Sequence, residues 1–315
     1  MKAQGRPGWR HPLAMASRLR TRIAEPTRAP APFVVGVNRS GTTLLRMMLD
    51  AHPELTLPPE THIIPEVIRR ANHENTRRRL IRSITKHPRW GDFGLDEAEL
   101  RARAKRVRPL TAAGAIRCFY ELYAASQGKP RWGDKTPRYM RAMPRIARAL
   151  PEARFVHLFR DVRDVALSQR ERVFGDEEVT ITAMAERWQR RIIAAREGAA
   201  EIRADAYLEV RYEDLVSDTE ATLRRICGFV ELDFDPAMIA PPERAELEAG
   251  LGAVGGWRER LTPEQVAAFE ALGCEREEGD AHRFLAIARV KADEPGLAAL
   301  EFQRAEACYA RAGDV

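Results

Sequence analysis

The stretch GVNRSGTT, residues 36–43, constrains the fold of this chain more than any other feature. It overlaps Phe33–Val37, a short apolar run rich in β-branched residues that is typical of a strand buried on both faces of a parallel sheet. It leads into Thr42–Ala51, where leucines and methionines recur at helical spacing. A glycine-rich turn from a buried strand into a helix N-terminus predicts an anion site, because unpaired backbone N–H groups and the helix dipole point to one place.

The residues of this turn indicate which anion it binds. Gly41 permits a tight backbone path, Arg39 supplies a planar cation, and three hydroxyl donors come from Ser40, Thr42 and Thr43. The turn resembles a Walker A loop, G-x-x-x-x-G-K-[ST], but threonine stands at position 42, where that motif has the lysine that holds the β- and γ-phosphates. The sequence therefore favours a nucleotide bound without a metal ion over ATP or GTP hydrolysis.

Two further units repeat the pattern of strand, turn and helix. Phe155–Phe159 predicts a strand, Arg160 follows it directly, and Ser168 lies in the helix that comes next. Residues 206–216 predict a third strand, followed by a helix over residues 218–229. Strands that alternate with helices are typical of parallel sheets. The predicted fold class is α/β, with a P-loop-type central parallel sheet flanked by helices.

The sequence predicts one main domain with an insertion. Residues 1–31, with several prolines, predict a flexible leader, residues 32–275 the domain, and residues 276–315 a C-terminal helical extension. Residues 66–130, which include a helical pattern at Ala112–Ala125, are too many for a crossover loop. We expect this insertion to form a cap over the acceptor site.

Composition restricts the class of protein further. The four cysteines lie far apart with no C-x-x-C pair, so we expect free thiols, no disulfide framework and no zinc site. No apolar run predicts a signal peptide or a membrane span, so we expect a cytoplasmic protein. The net charge is +6, and residues 69–110 carry thirteen basic against five acidic side chains. These basic residues lack the interleaved aromatic residues of a nucleic-acid-binding module.

Four stretches in order resemble the sulfotransferases that use 3′-phosphoadenosine 5′-phosphosulfate (PAPS). NRSGTTLLRMMLDAHPEL is similar to their 5′-phosphosulfate loop, and RFVHLFRDVRDVALSQ is similar to their 3′-phosphate-binding element. VRYEDLVSDTEATLRRICGFVEL and GLGAVGGWRERLTPEQ continue the resemblance, which spans residues 33–275. The loop and the following PPETH are most similar to the protein-tyrosine sulfotransferases and their bacterial relatives.

The resemblance implies how the nucleotide is held. The 5′-phosphosulfate would lie on the phosphate-loop residues Arg39, Ser40, Gly41, Thr42 and Thr43. Arg160 and Ser168 would bind the 3′-phosphate, and Tyr212 with the backbone of Leu251–Trp257, which includes Gly255, would complete the pocket. PAPS would be the donor, 3′-phosphoadenosine 5′-phosphate (PAP) the product, and no metal would be needed. In the tyrosine enzymes a Ser-Lys pair precedes the tryptophan, whereas Gly255 and Gly256 precede Trp257 here.

The resemblance also implies a base and a catalytic cation. Glu60 of PPETH would accept the proton of the acceptor hydroxyl, and Lys135 of WGDKTPRY would stabilise charge on the leaving phosphate. His62 is the alternative base, and we expect its side chain to point away from that of Glu60. Asp134 is predicted either to orient Lys135 or to cap a helix.

The acceptor class stays open at this stage. A hydroxyl of a protein tyrosine, a carbohydrate or a small molecule would suit the chemistry, and the basic insertion favours an acidic one. A P-loop kinase of small molecules that uses ATP is the alternative enzyme, and a non-catalytic nucleotide-binding or scaffold protein is a third hypothesis. The C-terminal helices could mediate a homodimer.

Overall fold

The computed structural model describes residues 28–73, 76–171, 180–241, 244–271, 303 and 305–306. Six short strands, all in parallel pairs, are β1 (Ala31–Gly36), β2 (Leu55–Thr56), β3 (Arg131–Trp132), β4 (Asp134–Lys135), β5 (Ala153–Phe159) and β6 (Tyr207–Arg211). The central sheet has the order β4-β1-β5-β6, and β2 pairs with β3 beside it. Phe33 pairs with both Asp134 and Phe155, so the carboxyl ends of β1, β4 and β5 meet at one edge.

Thirteen α-helices lie in the described part of the chain. They are α1 (Thr42–Asp50), α2 (Ile64–His73), α3 (Arg77–Thr85), α4 (Glu97–Arg106), α5 (Ala112–Ser126), α6 (Met143–Ala149), α7 (Val162–Arg170), α8 (Ile181–Ala200), α9 (Tyr212–Ser217), α10 (Thr219–Phe229), α11 (Arg244–Ala249), α12 (Trp257–Arg260) and α13 (Pro263–Ala271).

The sheet separates two apolar cores, because side chains alternate between the faces of a strand. Phe33 and Val35 of β1 point into the first core, which also contains buried residues of α2 to α6 and α8. Val34 points into the second core, formed with α1, α9 and α10. The sheet is therefore covered by helices on both faces, which confirms the predicted fold class.

Several predicted boundaries move by one or two residues. β1 begins at Ala31, inside the predicted leader, because Ala31 already pairs with Ala153. α7 begins at Val162, because the Asp161 side chain accepts a hydrogen bond from the backbone N–H of Arg163 and caps the helix. The predicted helix at Ala112–Ala125 corresponds to α5.

The prediction of a strand over residues 206–216 is wrong beyond Arg211. β6 ends there, and residues Tyr212–Ser217 form α9. The two buried residues of α9, Tyr212 and Leu215, are three apart, which is the spacing of one helical face. The sequence has apolar residues at positions 210, 212, 215 and 216, which is why it predicts a strand that continues past Arg211. Only the packing of Tyr212 and Leu215 shows that the stretch is helical.

Helices α2 to α5 occupy most of the predicted insertion and pack against the first core. At the start of α13, the Thr262 hydroxyl accepts from the Gln265 N–H at 3.3 Å, and the Gln265 side chain accepts from the Thr262 N–H at 3.0 Å. This reciprocal cap defines the start of α13. Residues 1–27 of the predicted leader, and the C-terminal extension except residues 303, 305 and 306, lie outside the described residues.

Within the described ranges, no helix combines the length and the apolar composition that crossing a bilayer requires.

Candidate active site

The loop between β1 and α1 passes through two left-handed residues, Arg39 with φ 76° and Gly41 with φ 88°. A Cβ atom at Gly41 would lie 2.4 Å from Cδ2 of Tyr212, and one at Gly36 would lie 2.3 Å from the carbonyl oxygen of Leu158. Both glycines are therefore needed for the close approach of this loop to β5 and α9.

Hydrogen-bond donors converge where the loop enters α1. No side chain caps this helix, so the N–H groups of its first turn lack intrahelical partners. Ser40 is fully buried, and its Oγ has no hydrogen-bond partner among the described residues. Thr42 is also buried, whereas Thr43 is exposed. Hydroxyls, backbone N–H groups and the nearby guanidinium of Arg39 form a donor set that fits an anionic phosphate or sulfate group.

Arg39 links the phosphate loop to α7. Its Nε donates to Ser168 Oγ at 2.9 Å, and its Nη2 donates to the carbonyl oxygen of Gly250. The Gln169 side chain donates to the carbonyl oxygen of Asn38 at 3.1 Å. Arg39 and Ser168 were expected at opposite ends of a nucleotide, but the structure places them in direct contact.

Arg160 follows β5 and is buried behind the segment that continues from α11. Its Nη1 donates to the carbonyl oxygen of Leu251 at 2.9 Å, and its Nη2 donates to that of Gly252 at 3.2 Å. The guanidinium carbon lies 4.7 Å from the centre of the Tyr212 ring, which places a cation over an aromatic face. Arg160, Tyr212 and the predicted nucleotide segment are therefore neighbours.

Asp164, in the first turn of α7, holds the predicted nucleotide segment in place. Its Oδ2 accepts from the Gly255 N–H at 2.8 Å, and its Oδ1 accepts from the Trp257 N–H at 3.1 Å. Burial raises the pKa of Asp164, and these two backbone donors act against that increase. The Trp257 ring packs on the guanidinium of Arg163, 3.9 Å from the ring centre. Asp164 has no role predicted from the sequence, although its position in RDVRD beside Arg160 is a usable signal.

Glu60 and Lys135 form an ion pair beside the phosphate loop. Lys135 Nζ lies 2.8 Å from Glu60 Oε1 and 3.3 Å from Thr43 Oγ1. Lys135 comes from β4 and is almost fully buried, whereas Glu60 lies between β2 and α2 with one third of its side chain exposed. The structure thus brings together the predicted base, the predicted catalytic cation and the phosphate loop.

Burial and charge pairing set the protonation of this pair. Burial raises the pKa of Glu60, but Lys135 and His62 outweigh burial, so the pKa lies below the usual 4.5. Burial lowers the pKa of Lys135 below 10.5, and Glu60 only partly offsets this effect. Glu60 is therefore a carboxylate at neutral pH.

The expectation that His62 points away from Glu60 is wrong. His62 Nε2 lies 3.1 Å from Glu60 Oε2, and its backbone has a left-handed φ of 56°. Residues two apart in an extended segment share one face, so a contact between the two side chains is geometrically accessible.

Asp134 neither caps a helix nor contacts Lys135 through its side chain in any described hydrogen bond. Its Oδ2 accepts from Thr61 Oγ1 and from the Tyr120 hydroxyl, both at 2.8 Å. Thr61 and Tyr120 gave no signal in the sequence, because their contacts join segments far apart in the chain.

A pocket of about 240 Å³ opens beside the phosphate loop. Its lining consists of Arg39, Gly41, Thr42, Thr43, Leu44, Glu246, Leu247, Gly250 and Leu251. Four of the five predicted phosphate-loop residues therefore border an accessible cavity between α1 and α11, whereas Ser40, Arg160 and Ser168 do not line it.

Comparison with known proteins identifies the family of this chain. A model of the sulfotransferase family matches residues 30–236, which is more than half of the chain. The matched region includes the phosphate loop, Glu60, Lys135 and Arg160. Leu251–Trp257 lie beyond it, so their role in nucleotide binding stays a prediction.

Two similar proteins are protein-tyrosine sulfotransferases. The one from Drosophila melanogaster is 25% identical over 213 residues, covering 67% of this chain and 40% of that protein. Protein-tyrosine sulfotransferase 1 from Danio rerio is 26% identical over 215 residues, covering 67% of this chain and 55% of that protein. The chain thus matches about half of the length of these relatives.

A solved structure supports the same assignment. The sulfotransferase domain from the olefin synthase of Synechococcus PCC 7002 aligns with a TM-score of 0.50 and 25% sequence identity. The alignment covers 79% of this chain and 96% of that domain. The parallel sheet, the phosphate loop and these matches together show that the chain belongs to the sulfotransferase family.

Proposed function

We propose that this chain transfers the sulfuryl group of PAPS to an acceptor hydroxyl, with Glu60 as the general base. The observation that carries the proposal is the position of Lys135 Nζ, 2.8 Å from Glu60 Oε1 and 3.3 Å from Thr43 Oγ1. A base, a cation and an anion-binding loop within one contact distance are the parts that group transfer between oxygen atoms requires.

In the proposed complex, the donor set at the start of α1 binds the 5′-phosphosulfate. This set comprises Arg39, Ser40, Gly41, Thr42 and Thr43. Arg160 and Ser168 bind the 3′-phosphate. Tyr212, Gly255 and Trp257 complete the nucleotide pocket, supported by the contact of Arg160 with Tyr212 and by the bonds from Asp164 to the segment 255–257.

PAPS supplies an activated sulfuryl group. The protein has to supply in-line geometry and stabilisation of the developing charge. The Glu60 carboxylate accepts the hydroxyl proton as the acceptor oxygen attacks sulfur. Lys135 and Arg39 donate to the oxygen of the bond that breaks, and PAP leaves with that electron pair. Because the pKa of Glu60 is low, the carboxylate is a weak base, so the proton has to move along a direct hydrogen bond from the acceptor hydroxyl as its oxygen attacks sulfur.

The test begins with PAP binding and labelled transfer. PAP at about a hundred times its Kd should stabilise the folded protein by about 2.7 kcal/mol. Glu60→Gln should keep this shift and lose about 10²- to 10⁴-fold in turnover. Glu66→Gln, on α2 and paired with Arg69 and Arg70, is the matched control. No PAP binding by calorimetry or thermal shift would refute the proposal.

A second comparison tests the 3′-phosphate site. Arg160→Ala should weaken PAP binding at least tenfold more than AMP binding, because AMP lacks the 3′-phosphate and loses only the support that Arg160 gives to Tyr212 and to the carbonyls of Leu251 and Gly252. Equal losses for the two ligands would move the 3′-phosphate elsewhere.

The alternative kinase activity is less well supported, because Thr42 replaces the lysine that a Walker A loop needs. ATP with Mg²⁺ should neither displace PAP at equal concentration nor support transfer, and EDTA should not reduce the rate.

The acceptor is proposed only as a hydroxyl. The tyrosine specificity in the relatives' names belongs to proteins of which this chain matches about half. Incubation with labelled PAPS and an extract of the source cells separates the classes, because the label should enter protein, carbohydrate or small-molecule fractions selectively.

A further inference from the structure

The two proposed catalytic residues lie on two segments of the chain. These segments are hydrogen-bonded to each other through the residues next to the catalytic ones. Glu60 is followed by Thr61, and Lys135 is preceded by Asp134. Thr61 and Asp134 are both fully buried, and Thr61 Oγ1 lies 2.8 Å from Asp134 Oδ2. A second bond joins the same segments, from the Thr61 N–H to Thr136 Oγ1 at 3.1 Å.

Two tyrosines from other elements complete this buried cluster. The Tyr120 hydroxyl of α5 donates to Asp134 Oδ2 at 2.8 Å. The Tyr139 hydroxyl accepts from the Ile64 N–H at 3.0 Å and lies 3.0 Å from Thr61 Oγ1. Tyr139 can therefore donate to Thr61, and Thr61 can donate to Asp134, so each hydroxyl proton has an acceptor.

The geometry keeps this cluster away from the reacting groups. Asp134 and Lys135 are consecutive in β4, so their side chains point to opposite faces of the sheet. Their partners in β1 confirm the faces, because Phe33 beside Asp134 lies in the first core and Val34 beside Lys135 lies in the second. Thr61 can therefore act on the site only through the backbone, whereas Asp134 also attracts the ammonium group of Lys135 electrostatically and raises its pKa.

We propose that Thr61 and Asp134 are positioning residues that hold the segment of Glu60 against β4 and thereby fix the distance between Glu60 and Lys135. This inference rests on the proposed function for its kinetic consequence. The segment from Leu57 to Ile63 contains no helix or strand, so side-chain bonds of this kind are what define its position. A displacement of about 1 Å at a reacting group can cost about 10²-fold in rate.

The experiment compares two substitutions of similar size at one position. Thr61→Val removes the hydroxyl and should lower kcat by about 10- to 100-fold, with the KM for PAPS and the affinity for PAP within about twofold of wild type. Thr61→Ser keeps the hydroxyl and should retain at least half of kcat. Asp134→Asn changes the acceptor of the Thr61 hydroxyl and leaves Thr61 itself intact. It should reproduce the loss of kcat.

A matched control separates positioning from general damage to a buried threonine. Thr222 is buried in α10, and its hydroxyl donates to the carbonyl oxygen of Asp214 at 3.2 Å. Thr222→Val should lose stability without the change in kcat. Equal kcat for Thr61→Val and Thr61→Ser would overturn the inference.

A double-mutant cycle identifies the residue through which Thr61 acts. In the Glu60→Gln background, Thr61→Val should change the residual rate by less than about twofold, because the group that it positions is already gone. A full additional loss in that background would also overturn the inference.

A measurement that does not depend on turnover distinguishes failure of this inference from failure of the proposed function. The pKa of the Glu60 carboxyl, followed by carbon NMR and assigned with Glu60→Gln, should rise towards 4.5 in Thr61→Val and stay low in Thr61→Ser. If wild type transferred no sulfuryl group, the proposed function would fail while this comparison still decided the inference. An unchanged Glu60 pKa in Thr61→Val would overturn it.

Discussion

Asp134 is a carboxylic acid enclosed on all sides, and burial raises its pKa from 3.8 to about 6 despite the hydrogen bonds from Tyr120 and Thr61. Between these two values the folded chain binds a proton that the unfolded chain releases, so the stability supplied by this group falls as pH rises. The gap between 3.8 and about 6 corresponds to about 3 kcal/mol.

We therefore predict a pH-dependent difference between wild type and Asp134→Asn. The free energy of unfolding of wild type minus that of the variant should decrease by about 2 kcal/mol between pH 4 and pH 7, measured by urea denaturation. Asp205→Asn is the control, because a hydrogen bond from Arg203 lowers the pKa of Asp205, so its stabilisation is lost as pH falls below 3.8 and should be nearly constant between pH 4 and pH 7. A constant difference across this range for Asp134→Asn would contradict the prediction.

Gly41 provides a test of the close contact between the phosphate loop and Tyr212. Gly41→Ala adds a Cβ 2.4 Å from the Tyr212 ring at a φ of 88°, so the ring or the loop has to move. We predict at least a tenfold loss of PAP affinity by calorimetry. Gly94→Ala is the control, since φ is 62° there but no atom lies within 4 Å of the new Cβ. Equal affinity in both variants would show that the contact is unimportant.

At this scale, the sequence predicted the residues better than their contacts. Local motifs predict Thr43, Glu60 and Lys135, and these three residues do contact one another through Lys135. Arg39 borders the same pocket as Thr43. The contact between Arg39 and Ser168 was not expected, because the two residues are 129 positions apart and only the packing of α7 joins them. Catalytic roles for these residues remain predictions.

Among the elements, long periodic helices were predictable and short ones were not. α5 and α10 have apolar faces several turns long. α9 has six residues, and a stretch this short that directly follows a strand carries too few residues to separate a period of 3.6 from a period of two. β2, β3 and β4 have two residues each, so they exist only through their pairing partners.

The segment between α11 and α12 is held at its first half by Arg160, which donates to Leu251 and Gly252, and at its second half by the carboxylate of Asp164. Asp164→Ala should raise the hydrogen-exchange rates of the Gly255 and Trp257 amides at least tenfold, because both lose their acceptor. The amides of α10 should be unaffected. Asp235→Ala, which removes the cap of the 3₁₀ turn Pro236–Met238, is the control. Unchanged exchange at both amides would mean that other contacts hold the segment.

At the scale of the whole molecule, a buried ion pair joins α5, in the predicted insertion, to the residue before β5 of the sheet. Arg117 of α5 donates to Glu152 through Nε at 2.6 Å and through Nη2 at 2.9 Å, and both side chains are buried. The carbonyl oxygen of Glu152 also accepts from the Ala31 N–H at the start of β1. This ion pair therefore joins α5 to the sheet at the end of the strands opposite the phosphate loop.

Glu152→Ala should destabilise the protein by about 3 to 5 kcal/mol, because it leaves the guanidinium of Arg117 buried without its partner. Glu186→Ala, which breaks the exposed pair with Arg190, should cost less than about 1 kcal/mol. Chemical denaturation of both variants measures the difference. A similar small cost for both would indicate that water reaches the buried pair.

The fold as a whole followed from few signals in the sequence. The apolar runs of β1 and β5, each followed by a cationic turn, were sufficient to predict a parallel sheet with its binding edge. The order β4-β1-β5-β6 could not be predicted. β4 has only two residues, and about a hundred residues of chain separate it from its neighbour β1.

The two-residue strand β4 has a consequence for how such a chain can vary. The Asp134 side chain points to the face of the first core, and the Lys135 side chain points to the face of the phosphate loop. A shift of this strand by one residue would exchange the two faces. A carboxylate would then meet the phosphate loop, and an ammonium group would enter the apolar core. Related chains can differ in side chains around this strand, but its length should be the same in all of them.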